Sequence, residues 1–257
     1  MTPFSLFLIR HGRTGLEGRY KGQIDVPLTA RGVKDMEASA LALKKMLKGK
    51  KIDAIYSSDL TRAIQSSDVI MERLDVRRVT RMELLRERAF GEWEGMRFDE
   101  IEKKYPREFA RWVSDPFVNN PVGGETSSMV KRRALRALKE ITGPEKKLPG
   151  GRVAAIVSHN GILRTLLCHF LGMPYRNIFR VSLDFGCLSL VEIYEDRTPV
   201  VKFMNYSLMD QTKTKTKNPI DHISFRGEAK MDIERNPKGK RANMIDREFL
   251  TFDARRA

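Results

Sequence analysis

The sequence predicts an α/β fold, a three-layer α/β/α sandwich with a mainly parallel central sheet, and three observations carry that reading. Phe4 to Ile9, Ile52 to Tyr56 and Val153 to Val157 are apolar at nearly every position, as strands covered on both faces are. Amphipathic helical patterns lie between them, and strands alternating with helices build parallel sheets. All three strands run at their carboxyl ends into polar residues: Arg10-His11-Gly12, Ser57 to Arg62, and Ser158 to Gly161.

Along the chain, Thr29 is placed to cap a helix whose apolar face is Val33, Met36, Ala40, Leu43 and Leu47. Asp59 stands in the same relation to a helix carrying Ala63, Ile70 and Leu74. A third stripe, Val130, Ala134, Leu138 and Ile141, meets a stop at Gly143-Pro144. Ile162 to Leu171 reads as a helix, and Leu188 to Ile193 and Val200 to Phe203 as strands that complete the sheet. Phe98 to Gly124 breaks the alternation with a short helical pattern, then Pro116, Asn119, Asn120, Pro121 and two glycines. It reads as a helical lid excursion over the strand ends, since long connections in compact domains are often functional. After Ser207 the composition shifts: Thr and Lys alternate from Thr212 to Lys217, and Gln211 to Ala257 carries twelve Lys and Arg against seven Asp and Glu. The expected division is a catalytic domain over 1–207 and a basic C-terminal extension over 208–257. Phe225, Phe249 and Phe252 suit that extension for docking on the core, on a partner or on a second copy of the chain.

A chain of 257 residues, 41% hydrophobic, can bury a sizeable core. Its apolar start ends at Ile9, too soon for a signal peptide, and no run approaches the roughly 20 residues of a membrane span. Cys168 and Cys187 fall within a helical and a strand pattern as small core residues, which fits a reducing cytoplasm. The formal net charge of +15 raises the question of an anionic partner. With no zinc spacing, aromatic RNA-binding signature or basic heptads, the composition argues against nucleic acid, and a solvated basic surface accounts for the charge.

Parallel strands bring their carboxyl ends to one edge, where open α/β sheets bind ligands, so two histidines and two arginines can converge there. A guanidinium is always charged and donates two parallel hydrogen bonds to phosphate oxygens. A neutral imidazole can attack phosphorus in line, forming a phosphohistidine that splits one hard transfer into two easier ones, while the cations offset charge on the equatorial oxygens. Taken singly, each of these residues is an ordinary strand-end or surface residue. It is their joint order, Arg-His-Gly, then Arg, then Ser-His, that points to phosphoryl transfer. No His-rich or Cys-rich spacing exists, and the best candidates sit beside arginines, so neither a metal nor another cofactor is expected. His169, in an apolar helix, and His222, in the tail, lack this setting.

Leu8-Ile9-Arg10-His11-Gly12-Arg13-Thr14 resembles the histidine phosphatase superfamily, in the branch with phosphoglycerate mutases and cobalamin-pathway phosphatases. Pro27-Leu28-Thr29 with Gly32, Ser57 to Ala63, Phe90-Gly91-Glu92-Trp93-Glu94-Gly95, Gly123-Gly124-Glu125 and Ser158-His159-Asn160-Gly161 follow in family order, covering about residues 4–206. The resemblance implies that His11 carries the phosphoryl group and that Arg10, Arg62 and His159 form the phosphate pocket. Spacing leaves Glu83, Glu87, Glu92 and Glu94 open as the acid; the family pattern selects Glu87 as proton donor to the leaving group and as base for water. Two departures stand out. The segment Thr14-Gly15-Leu16-Glu17-Gly18 is about two residues shorter and lacks the family's phosphate-binding asparagine, and Asn160 replaces a glycine, with a helix cap as its expected role.

The Phe-Gly-Glu-Trp-Glu-Gly motif and the short segment before Gly123 resemble the phosphatase branch, which implies hydrolysis of a small phosphorylated metabolite. α-Ribazole phosphate, sugar phosphates and glycolytic acids are the candidates. A cofactor-dependent phosphoglycerate mutase is the catalytic alternative. A weakened catalyst serving as an anion- or RNA-binding module through its basic tail is the alternative of another class.

Overall fold

The computed structural model describes residues 2–143 and 150–208, all of them within the first of the two units into which the chain divides, Met1–Thr212. The expected extension over 208–257 lies, apart from Leu208, outside the described residues. Six strands form one mixed sheet in the order β3-β2-β4-β1-β5-β6. They are β1 (Phe4–Arg10), β2 (Ala54–Ser57), β3 (Val79–Arg81), β4 (Val153–Ser158), β5 (Leu188–Ile193) and β6 (Pro199–Tyr206). The first four are mutually parallel where they pair, while β5 runs antiparallel to β1, and β6 to β5.

Successive side chains of a strand point to opposite faces, and both faces are covered, which is why the strands read as continuous apolar runs. Phe4, Leu6 and Leu8 of β1, with Ala154 and Ile156 of β4, share a core with α5 (Ser127–Thr142) and α6 (Asn160–Phe170). Phe7 and Ile9, with Ala155 and Val157, pack on the other face with α1 (Ala30–Leu47) and α2 (Thr61–Leu74). Leu6 and Ile9 are fully buried, each contributing about 1.5–3 kcal/mol of apolar burial. The three layers expected from the sequence are thus present.

Thr29 caps α1 as expected, its hydroxyl accepting from the Gly32 N–H, and Met36, Ala40, Leu43 and Leu47 are buried. Val33 is exposed; the buried position at that turn belongs to Gly32. Asp59 does not cap α2. Leu60 holds the cap position without a side-chain bond, and the Asp59 carboxylate is drawn into a two-pronged pair with Arg86, a stronger arrangement than a single cap bond. α5 ends at Gly143, which takes φ 76°. β3 has no forewarning in the sequence: its three residues follow Arg77-Arg78, end in Arg81 and carry no alternation.

The excursion holds two helices, α3 (Phe98–Lys104) and α4 (Pro106–Ser114), around a small core of Trp93, Ile101, Phe109 and Trp112. It is stitched to the segment after β1, where Tyr20 N–H donates to Met96 O (3.0 Å) and Gly95 N–H to Tyr20 O (2.8 Å). Cys168 and Cys187 are free and buried, and no helix among the described residues is long and apolar enough to cross a membrane.

Candidate active site

Strand register assembles the site. Arg10 lies level with Ser158, and Ser57 with Val157, so the next residues, His11, Ser58 and His159, leave the sheet side by side. His11 N–H donates to Ser158 O (3.0 Å), and the two imidazole rings stand 5.0 Å apart. From the first turn of α2, Arg62 reaches back into this edge. It donates Nε to His159 Nδ1 (3.2 Å), Nη1 to Ile24 O (2.7 Å) and Nη2 to Gly22 O (2.7 Å). The Arg10 guanidinium lies 3.8 Å from the centre of the Phe185 ring and donates Nη1 to Leu183 O, but its Nε is buried with no hydrogen-bond partner.

Glu87 joins them. Its Oε2 accepts from the Gly161 N–H (3.1 Å) and its Oε1 from the Arg88 N–H (2.8 Å), which seats the carboxylate on the first turn of α6 beside His159. A Cβ at position 161 would stand 2.4 Å from Oε1, so glycine is what lets the carboxylate approach. The other three candidate acids are engaged elsewhere. Glu83 lies beside Arg86, Glu92 accepts from the Tyr105 hydroxyl, and Glu94 accepts from Gln23 and Phe90 N–H groups. Arg133 donates to the carbonyls of Arg86 and Glu87 and holds Glu125 through two bonds, so the Gly-Gly-Glu segment fixes the backbone that carries Glu87. Burial alone would raise the Glu125 carboxyl, but hydrogen bonds from Arg133 and the Ala89 N–H hold it below the usual range.

Burial, and then the charges of Arg10 and Arg62, push the His11 imidazole well below its ordinary 6.5. Burial, His11 and Arg62 do the same to His159. Burial also brings the Arg10 guanidinium down to about 10, still cationic at neutral pH. The edge is thus a cationic pocket holding two neutral imidazoles. His11 Nδ1 lies 2.7 Å from Gly12 O, and because a carbonyl only accepts, Nδ1 carries the proton and the lone pair sits on Nε2. His159 accepts from Arg62 at Nδ1, so its proton is on Nε2, against Ser58 Oγ at 2.8 Å.

A stability prediction arises from these two buried rings. In the unfolded chain both histidines bind protons below about pH 6.5, whereas in the folded chain they stay neutral to lower pH. Stability should therefore fall as pH drops below about 6.5, each ring contributing up to roughly 1.4 kcal/mol per pH unit until its folded value is reached. Denaturant melts at pH 7.5, 6 and 5.5 measure this, and His159→Gln should flatten the dependence. A profile equally steep in that variant would count against the burial argument.

All five residues expected from the sequence meet at this edge. Ser58 and Gly161, from the polar strand ends, and Glu125, from the Gly-Gly-Glu motif, belong to it too, as do Phe185, Lys21 and Arg133, which nothing in their local spacing marked. Asn160 is not the cap of α6: His159 occupies that position, and Asn160 is the first helical residue, its Oδ1 buried without a hydrogen-bond partner. Gly15 to Gly18, in the shortened segment, are exposed, Glu17 among them.

Residues 6–206 match the family described as the histidine phosphatase superfamily (branch 1). Phosphoserine phosphatase 1 of Hydrogenobacter thermophilus is 30% identical over 77% of this chain and 90% of its own length. The adenosylcobalamin/α-ribazole phosphatase of Escherichia coli K12 is 28% identical over 73% and 89%. Among solved structures, mycobacterial glucosyl-3-phosphoglycerate phosphatase superposes with a TM-score of 0.68 at 25% identity, covering 79% of this chain and 99% of its own.

Proposed function

The chain belongs to branch 1 of the histidine phosphatase superfamily, and from that premise we propose that it hydrolyses a small phosphorylated metabolite by way of a phosphohistidine at His11, without a metal. The observation that carries this reading is the Arg10 guanidinium, whose buried Nε is unpaired, beside a neutral imidazole whose lone pair is free. A buried donor without a partner costs about 1–3 kcal/mol, and an oxyanion offsets that cost. Arg62 spends three of its five N–H groups on protein acceptors, which leaves two for the same anion.

In the first step His11 Nε2 forms a bond to phosphorus while the ester P–O bond breaks, and the departing oxygen takes the proton of Glu87. In the second step water attacks the phosphohistidine and gives a proton back to Glu87, releasing inorganic phosphate and restoring the neutral ring. Arg10, Arg62 and His159 hold the equatorial oxygens in both steps. The named relatives are a phosphoserine phosphatase, an adenosylcobalamin/α-ribazole phosphatase and a glucosyl-3-phosphoglycerate phosphatase, and a screen of small phosphate monoesters is the route to this chain's own substrate. We assign this activity to residues 1–207 and regard the basic extension as separate from it. The free, buried thiols of Cys168 and Cys187 suit the cytoplasm.

Release of phosphate from an aryl ester in the presence of a chelator tests the proposal; no turnover on any monoester would sink it. Glu87→Gln tests the acid. An alkyl phosphate, with its poor leaving group, should lose about 10²–10⁴-fold in rate. An aryl phosphate should still give a burst of phenol equal to the enzyme, followed by slow turnover, because only dephosphorylation then needs the base. The same loss on both esters with no burst would remove Glu87 from the leaving-group step.

A further inference from the structure

Lys21 lies in the segment after β1, at the same edge as His11, and neither the sequence pattern nor the phosphatase reading gives it a part. Its ammonium is 5.7 Å from the centre of the Phe185 ring, the ring that also carries Arg10 at 3.8 Å and stands 5.6 Å from the ring of His11. Arg13 stands 5.8 Å from the centre of the same ring, so four groups flank one aromatic side chain, three of them cations, and of those cations Arg13 is already paired with Asp35. Half-buried, Lys21 forms no ion pair with any described carboxylate. Glu17, on the exposed side of the loop, touches it only through the field.

The backbone that presents Lys21 is clamped from both sides. Arg62 takes the carbonyls of Gly22 and Ile24, while Glu94 Oε1 accepts the Gln23 N–H at 2.9 Å. Gly22 has φ +49°, and a Cβ there would stand 2.0 Å from Glu94 Oε1, so the chain is pressed flat against this support. The segment is held by the pocket's own arginine, and its lysine shares the pocket.

We infer that Lys21 is a ligand of the transferring phosphoryl group, supplying the donor that the shortened segment after Gly12 lacks. This rests on the proposed phosphatase chemistry. An ammonium near two guanidiniums and paired with no described carboxylate is unfavourable until an anion arrives, and a phosphate dianion satisfies all three cations at once. Burial, then Arg10 and Arg62, lower the Lys21 ammonium from its ordinary value, as a cation awaiting an anion should show. Its flexible stem and three donors suit a charge that follows phosphorus through the transition state.

The first test is calorimetric titration of the full-length chain with inorganic phosphate, which reads Lys21 whether or not a substrate has been found. Lys21→Met should weaken phosphate binding by about tenfold or more, Lys21→Arg should retain most of it, and Lys44→Met, on the exposed face of α1, should bind like the wild type and so controls for net charge. On an aryl phosphate, kcat/KM should fall about 10–100-fold in Lys21→Met with the melting temperature unchanged. Phosphate affinity within twofold of wild type in Lys21→Met would overturn the inference while leaving the phosphatase reading intact. A wild type that binds phosphate through Lys21 yet hydrolyses no monoester would do the reverse.

Discussion

His11→Ala should lower kcat on an aryl phosphate by on the order of 10⁴-fold or more, because it removes the atom that bonds to phosphorus rather than a group that assists. The fold should survive. The ring is buried but makes one backbone hydrogen bond, to the carbonyl of its neighbour Gly12, and its removal leaves Arg10, Arg62 and the strand ladder in place. Phosphate binding should therefore persist, and that separates loss of a nucleophile from collapse of a pocket. Acid quenching with labelled substrate supplies the direct readout: labelled phosphohistidine in wild type, none in the variant. Activity that persists in His11→Ala with chelator present would assign the nucleophile elsewhere.

Arg62→Ala should be the most damaging change that spares the nucleophile, with an expected loss of about 10²–10³-fold in kcat/KM and about 2–4 kcal/mol in stability. The side chain is 1% exposed and joins three pieces of the site: the ring of His159 at the cap of α6, and the carbonyls of Gly22 and Ile24 in the segment that carries Lys21. Truncation strands all three acceptors and removes a phosphate ligand at once. Arg62→Lys keeps the charge, but one ammonium cannot span acceptors set for a planar fork, so it should recover little activity. Denaturant melts and phosphate titration check both parts. A stable Arg62→Ala that binds phosphate normally would show that the guanidinium is neither brace nor ligand.

The fold was legible because its causes are local in the chain. Strands buried on both faces must be apolar throughout, as Phe4–Ile9 and Val153–Val157 are, and helices on a sheet need one apolar stripe, as along Met36, Ala40, Leu43 and Leu47. The misreadings came where a partner from elsewhere decided the outcome. Asp59 has the composition of a cap but faces Arg86, and Asn160 follows His159 as a cap would, yet the helix has already begun. β3, three residues long, exists because β2 offers it an edge, not because its own residues demand a strand.

His11, Arg10, Arg62 and His159 were readable from the sequence itself, since each ends a strand or opens the helix behind one, and parallel pairing obliges those ends to meet. Glu87 was not, since four glutamates share its neighbourhood in sequence and only resemblance to the family distinguished it. What sets it apart physically is the missing Cβ of Gly161, seventy-four residues away, which leaves room for a carboxylate against the start of α6. Lys21 lay further out of reach, as an unremarkable lysine in a loop. Its standing depends on Arg62, Glu94 and Phe185 arriving from separate segments. Periodicity and strand-end chemistry, properties of neighbouring residues, determined the sandwich and the phosphate-binding edge. The proton donor and the third cation were decided by tertiary structure, because clearance and charge density depend on distances between segments that no local pattern encodes.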